Sequence, residues 1–281
     1  MSSASVPDEV LLTTDGDDTI AASFVIAADG HWSSVRRSLE RDDGSTATSD
    51  LGEWHAARQY FANAGDDRLW VFFEPDLLSG YFWIFPLPNG YANVGYGVLR
   101  SQGRTGKQLK ALWPALLDRP HIREVLGTNA KAIGTVKAWP IPTRYEPATL
   151  SDRRVLYVGD AARIVDPMTG EGIAQALETG GLAATAVAHM RHAANAHDAV
   201  GARYRSLVHH ELGRDLKFAA RLQPILSRNI GAEAALRIVN SNDWTRRNFA
   251  RWMFEDYPRA VLFTPDRWHR SMFSTHGGFA P

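Results

Sequence analysis

The apolar run Val155-Leu156-Tyr157-Val158 leads directly into Gly159-Asp160-Ala161-Ala162. Soon after, Thr169-Gly170-Glu171-Gly172 opens a long helix of small residues through Ile173, Ala176, Leu177, Leu182 and Ala183. A short unbroken apolar run is the mark of a strand covered on both faces, as in a parallel sheet. Parallel neighbours need crossover connections, so this segment pulls the chain toward an α/β fold. Glycines at Gly170 and Gly172 let a ligand approach the backbone, and the unsatisfied first-turn amides with the helix dipole favour an anion. Asp160 stands at the carboxyl end of the strand, where open α/β sheets place ligand contacts. Taken alone, the same residues also fit close helix–strand packing with Asp160 as a turn or cap residue.

The rest of the chain divides by pattern. Val10 to Thr13 and Thr19 to Ala27 read as strands joined by the turn cluster Asp15-Gly16-Asp17-Asp18. Asp29, Gly30, Ser33 and Ser34 precede a helix carrying Arg36 and Arg37, and the polar stretch Arg41 to Gly52 reads as an exposed loop and a domain boundary. Antiparallel strands follow at Ala56 to Phe61, Leu69 to Phe73, Gly80 to Phe85 and Tyr91 to Val98, with Pro88-Asn89-Gly90 as the tightest turn. The two-residue period puts Tyr81, Trp83 and Phe85 on one face and Phe82 and Ile84 on the other. One face can pack on a core while the other lines a cavity, although an ordinary sheet-face core is an alternative reading of the aromatic trio. Thr105 to Leu117 reads as a helix interrupted by Pro114, Ile133 to Ile141 as a strand, and Gly201 to Pro281 as mostly amphipathic helix.

Composition narrows the chemistry. Among 281 residues, 31 Lys+Arg balance 31 Asp+Glu, so there is no general electrostatic footprint for nucleic acid. The absence of Cys excludes disulfides, thiolate metal sites, iron–sulfur clusters and a cysteine nucleophile. No stretch approaches the roughly 18–20 apolar residues of a membrane span, and the first residues carry no signal-peptide pattern; a cytoplasmic location is the expectation. There is no G-x-S-x-G elbow, H-E-x-x-H or Walker loop, and His209-His210-Glu211 has the wrong spacing for a zinc helix, so no metal site is expected.

Two motifs together are more specific than either alone. The run from Val25 to Arg36, with Asp29-Gly30, Ser33-Ser34 and Arg36, resembles the central Asp-Gly motif of flavoprotein hydroxylases and reductases. The run from Val155 to Ile173 resembles their downstream flavin motif of apolar strand, Gly-Asp-Ala, a Pro and a Gly-x-Gly helix start. Between them, the segment Gly80 to Gly97 and the wording Thr169-Gly170-Glu171-Gly172-Ile173 are similar to the geranylgeranyl reductase-like branch. The likeness covers roughly Val10 to Ala188.

The resemblance implies an α/β (α+β) chain: a partial FAD-binding Rossmann-like domain in two segments, 1–49 and 141–200, an inserted antiparallel substrate-binding sheet at 50–140, and a helical region at 201–281. It implies FAD as cofactor, with NAD(P)H or another reductant as electron donor. Asp160 would hold the ribityl chain, with Gly159 and Gly170 in the same motif. Pro167 would lie near the isoalloxazine edge, and the amides of Gly172 and Ile173 would face the N1–C2=O end of the ring. Asp29 and Gly30 would contact the flavin or its reductant, and Arg36 would hold the following loop or a phosphate. Tyr81, Trp83 and Phe85 would line the cavity of an apolar prenyl or aromatic substrate, with Tyr81 the first phenol to test as a proton donor.

One departure stands out. The family's opening G-x-G-x-x-G fingerprint is absent, since Gly95-x-Gly97 runs on to Arg100 and Gly170-x-Gly172 to Gln175. The expectation is an N-terminally shortened piece or a late-assigned start, an exposed strand edge and apolar face, and weak or no FAD binding by the isolated chain. Three functions follow: a flavin-dependent reductase of C=C bonds in an isoprenoid substrate, a monooxygenase or halogenase on the same scaffold, or an inactive flavin-less piece. Toward the C-terminus, Arg246, Arg247 and Arg251 beside Phe249, Trp252 and Met253 fit either a membrane-surface helix or a helix packed on the substrate domain.

Overall fold

The computed structural model describes residues 9–42 apart from 15 and 17, and residues 52–100, 103–146, 149–193, 195–254, 260 and 265–268. The chain forms two compact units. The first comprises Met1–Asp50, Pro142–Asp166 and Glu171–Lys217, and the second Leu51–Ile141, Pro167–Gly170 and Phe218–Pro281.

Strands β1 (Val10–Thr13) and β2 (Thr19–Ala22) pair antiparallel as a two-stranded ribbon. The apolar run expected to continue to Ala27 breaks at Ser23 and Phe24, and β3 (Val25–Ala27) joins a different sheet. Arg154 accounts for the break: its carbonyl accepts the Val25 amide at 3.0 Å, its guanidinium donates to the Ser23 carbonyl at 3.3 Å, and the same group lies 5.3 Å from the Phe24 ring centre. Helix α1 (Ser34–Asp42) follows. The expected loop from Arg41 to Gly52 lies mostly outside the described residues.

The second unit is built on five antiparallel strands: β4 (Trp54–Ala62), β5 (Trp70–Phe72), β6 (Tyr81–Leu87), β7 (Tyr91–Leu99) and β8 (Lys131–Ile141), in the order β5-β6-β7-β4-β8. The turn at Pro88–Gly90 joins β6 to β7, with Asn89 and Gly90 both at positive φ. Alternation decides which side is core. Phe82, Ile84, Ala92, Val94, Tyr96 and Val98 pack against Trp113 and Leu116 of α2 (Gly106–Leu117) and Ile122 and Leu126 of α3 (Pro120–Leu126). A capping box between Thr105 and Gln108 starts α2, and Pro120 in the first turn starts α3, a helix absent from the sequence reading.

Back in the first unit, β9 (Ser151–Asp152) and β10 (Val155–Tyr157) complete the sheet β3-β10-β9, in which β10 runs parallel to β3. Val155, Leu156 and Tyr157 are all buried, as a strand covered on both faces must be. Helices α4 (Ile173–Met190) and α5 (Ala196–Glu211) pack over it, joining Ala183, Ala186, Val200 and Tyr204 to its core. The buried Tyr204 hydroxyl donates to the Tyr157 carbonyl at 2.7 Å.

The helical tail is not a body of its own. Helix α6 (Gly213–Leu226) begins in the first unit and ends in the second, where α7 (Asn229–Val239) and α8 (Asp243–Phe254) follow. Residues 201–217 thus belong with the parallel sheet and 218–281 with the antiparallel one.

The Gly95-x-Gly97 pair has a packing reason. A Cβ on Gly95 would come within 2.3 Å of the Trp83 indole and 2.6 Å of the Ala57 carbonyl oxygen. Gly95→Ala is expected to cost about 1–3 kcal/mol by overpacking, read as a lower urea midpoint with unchanged m-value. A midpoint equal to that of the parent would show that the sheet does not need this close approach.

Candidate cofactor and substrate sites

In the first unit the Asp-Gly motif works as a fastener. Asp29 Oδ2 accepts from the Ser34 amide at 2.8 Å, the Ser34 hydroxyl at 3.1 Å and the Val35 amide at 3.2 Å, so the carboxylate serves the open N-terminus of α1. Burial alone would raise this carboxyl; hydrogen bonds from the Ser33 side chain, the Val35 amide and Ser34 outweigh it and hold it below its ordinary value. Gly30 sits at φ 79°, a conformation open to glycine, with free space around it.

Arg36 is buried against backbone carbonyls and a ring. Its Nε donates to the Ala161 carbonyl at 3.0 Å, Nη2 to the Ala161 and Thr149 carbonyls, and the guanidinium lies 4.1 Å from the Tyr157 ring centre. These bonds tie it to the Gly159–Ala162 loop, one of the two roles implied for it.

The strand end and the start of α4 meet closely. Gly159, at φ 53°, brings β10 so near the helix that a Cβ would lie 2.9 Å from that of Ala176, and its amide donates to Thr179 Oγ1 at 3.0 Å. Gly172 is the N-cap of α4 with no side-chain cap, and a Cβ there would lie 3.3 Å from Asp160 Oδ1. Burial pushes the Asp160 carboxyl up, partly offset by His31, and no described residue donates a hydrogen bond to it. Gln175 Oε1, in the first turn of α4, is buried without a hydrogen-bond partner.

A half-buried carboxylate without donors, uncapped helix amides and an orphaned amide oxygen are unmet needs within one short stretch. They fit a ligand carrying hydroxyl and N–H donors with an electron-rich edge, as the ribityl chain and ring of FAD do. Asp160, Gly172, Ile173 and Gln175 are the residues that would hold it. Ile173 and Leu177, on the outer side of α4, are 76% and 75% exposed, and Ile26 on edge strand β3 is exposed as well.

In the second unit, three side chains from distant parts of the sequence bind the carbonyls of Pro167–Gly170. Trp54 Nε1 and Gln223 Nε2 donate to the Pro167 carbonyl at 3.1 and 2.9 Å, and the Tyr81 hydroxyl donates to that of Thr169 at 2.9 Å. Gly170 adopts φ 73° beside Trp54 and Ile141.

A cavity of about 560 Å³ lies in the same unit, walled by Tyr81 and the β5–β6 loop, by Met168, and by α6, α7 and α8. Among the described residues its lining contains no charged side chain, and it includes the polar groups of Ser79, Thr245, Asn248 and Tyr81. Ser79 Oγ and Asn248 Oδ1 are buried without hydrogen-bond partners. Of the three aromatic residues singled out from β6, Tyr81 lines this cavity, whereas Trp83 and Phe85 continue a ladder along the sheet face, with ring centres 5.8 and 5.9 Å apart in succession. Phe249, Trp252 and Met253 of α8 line the cavity.

Gln175, Met168, Trp54 and Gln223 escaped the sequence reading. Gln175 had a signal, the one long polar side chain in the first turn of a small-residue helix; the partners of Pro167 had none, because nothing local marks a contact so distant along the chain.

Two carboxylates give opposite expectations. Asp29→Ala removes the acceptor at the α1 start and should cost about 1 kcal/mol at neutral pH. Because the Asp29 carboxyl is depressed, its contribution is present above the ordinary carboxylate range and disappears as pH falls through it. Asp160 is raised, so its charge disfavours the folded state at neutral pH and ceases to do so in acid. Asp160→Asn should therefore raise the melting temperature of the flavin-free chain near pH 7, a gain that vanishes on acidification, while weakening flavin retention. A lower melting temperature for Asp160→Asn at neutral pH would contradict the assignment.

The FAD binding domain family matches residues 3–196. Digeranylgeranylglycerophospholipid reductase 2 of Methanopyrus kandleri is 32% identical over 217 residues, 76% of this chain and 53% of that protein. Menaquinone reductase of Mycobacterium tuberculosis is 31% identical over 189 residues, 62% of this chain and 43% of that one. The chain spans about half the length of the curated relatives it matches. Among solved structures, a geranylgeranyl bacteriochlorophyll reductase-like protein from Thermoplasma acidophilum shares the fold with a TM-score of 0.67 at 20% identity, covering 91% of this chain and 68% of that one. With the strand–loop–helix site and the family match covering the same residues, the chain belongs to the FAD binding domain family.

Proposed function

We propose that this chain is the flavin-ring and substrate-binding part of an FAD-dependent oxidoreductase that reduces C=C bonds of a polyprenyl lipid. The observation that carries the reading is the cavity of about 560 Å³ whose lining, among the described residues, holds no charge. Such a space takes a flexible hydrocarbon chain and excludes water, but offers no cation to a phosphate headgroup. The names of the relatives, reductases of a digeranylgeranylglycerophospholipid and of menaquinone, favour the same substrate class.

FAD, when bound, would supply the hydride equivalent, drawing electrons from NAD(P)H or another donor. The chain's own residues would divide the remaining work. Asp160 accepts ligand hydroxyls, and the uncapped amides at the start of α4 favour negative charge beside them. Tyr81 presents a phenol at the cavity wall with its proton held at the Thr169 carbonyl, which makes it a strut for the loop as well as a polar point in an apolar wall. Ser79 Oγ and Asn248 Oδ1 provide the cavity's unmet hydrogen-bonding capacity. The Asn248 amide nitrogen already donates to the Trp244 carbonyl at 2.9 Å, so the free oxygen suits a donor such as a hydroxyl.

The test is anaerobic: the reduced full-length enzyme is mixed with a polyprenyl substrate and flavin reoxidation is followed. Reoxidation with formation of the saturated product is expected, whereas oxygen-dependent hydroxylation without anaerobic turnover would replace this reading by a monooxygenase. Ala235→Phe, which fills part of the cavity, should raise KM for a long prenyl chain about tenfold and spare a short one. Equal effects on both lengths would place the chain elsewhere.

A further inference from the structure

Helix α7 is apolar on more than one side. Its polar residues Asn229, Glu233 and Arg237 recur at every fourth position and so make a single stripe. Ala232, Ala235, Leu236, Ile238 and Val239 line the cavity, yet Ile238 is 69% exposed, and Ile230, outside the lining, is 84% exposed. A helix apolar around most of its circumference belongs inside a protein or against lipid. The end of α6 extends the outer patch: Ile225 is exposed and lies against Gly231.

The patch continues into the cavity. Leu236, Ile238, Trp244 and Trp268 are at once exposed and part of the cavity wall, which makes them the rim of its mouth. The sequence of this part is basic, for residues 218–281 contain nine arginines and five carboxylates in a chain whose formal net charge is zero. Tryptophan at the rim, isoleucine beyond it and an arginine-rich sequence are the chemistry of a surface resting in the headgroup layer of an anionic bilayer.

We propose that this rim docks on a lipid bilayer bearing anionic headgroups, so that an apolar substrate passes from the membrane into the cavity without crossing water. The inference rests on reading the cavity as a lipid-substrate site. A second copy of the chain or another protein seated on the patch would cover the mouth, whereas a bilayer keeps it continuous with the substrate's own phase. Among the described residues no helix is long and apolar enough to cross a membrane.

The chain is sedimented with vesicles of phosphatidylcholine alone or mixed with phosphatidylglycerol. Binding to the mixed vesicles that weakens with salt is expected, and Ile225→Asp with Ile230→Asp, both outside the cavity, should lower it about tenfold. A conservative variant guards against misfolding: brominated lipid should quench part of the emission of the nine tryptophans, and Trp244→Phe should remove a share of that quenching. Failure to sediment with either vesicle, or sedimentation of the double variant equal to that of the parent, would overturn the proposal. So would a dimer abolished by the double variant in a chain that ignores vesicles. The vesicles contain no substrate and the assay needs no flavin. A failed reoxidation would therefore leave a positive result standing, and an enzyme active on detergent-dispersed substrate without vesicle binding would sink only the docking.

Discussion

The second unit depends on how it holds four residues that the rest of their motif leaves to it. Asp166 and Glu171 belong to the parallel-sheet unit and close a neck, the Asp166 amide donating to the Glu171 carbonyl at 2.9 Å, while Pro167–Gly170 belongs to the antiparallel-sheet unit. There the carbonyls of Pro167 and Thr169 receive donors from β4, β6 and α6. Removing water from a peptide carbonyl without replacing its hydrogen bond costs about 1–3 kcal/mol, so these donors are what allow the segment to be buried. Trp54, itself buried, fills volume against Gly170 and supplies one of the donors.

Charge is handled differently at Arg36 and at Asp160. Arg36 is taken out of water and given carbonyls and an aromatic face, so its charge is spent on holding the Gly159–Ala162 loop. Asp160 is half-buried and receives no hydrogen bond from the described residues, with His31 only partly offsetting its burial. A group that is costly to the empty protein and supplied by a partner is the usual physical signature of a binding residue, and a group satisfied at home is that of a scaffold residue.

Much of the fold was legible because it rests on local rules. The unbroken apolar run of β10, the two-residue alternation of β6 and the turn at Pro88–Gly90 each have one good solution. The break at Ser23 and Phe24 was not legible, since it depends on Arg154 arriving from far along the chain. The role of Arg36 was open for the same reason: spacing reveals a charge, and only burial decides whether it faces a ligand or a backbone. In the site, Asp160 and Gly172 were legible from the strand–loop–helix order, whereas the cavity walls in α6 to α8 follow from packing between amphipathic helices whose sequence allows several arrangements.

The pinned loop has an electrical consequence. A peptide group is planar and trans, so a carbonyl tied in one direction sends the N–H of the same group in the opposite direction. With the Pro167 and Thr169 oxygens fixed on Trp54, Gln223 and Tyr81, the N–H bonds of Met168 and Gly170 are aimed away from those donors. Each of these two peptide groups is thereby a dipole whose direction is fixed by the side chains that hold its oxygen.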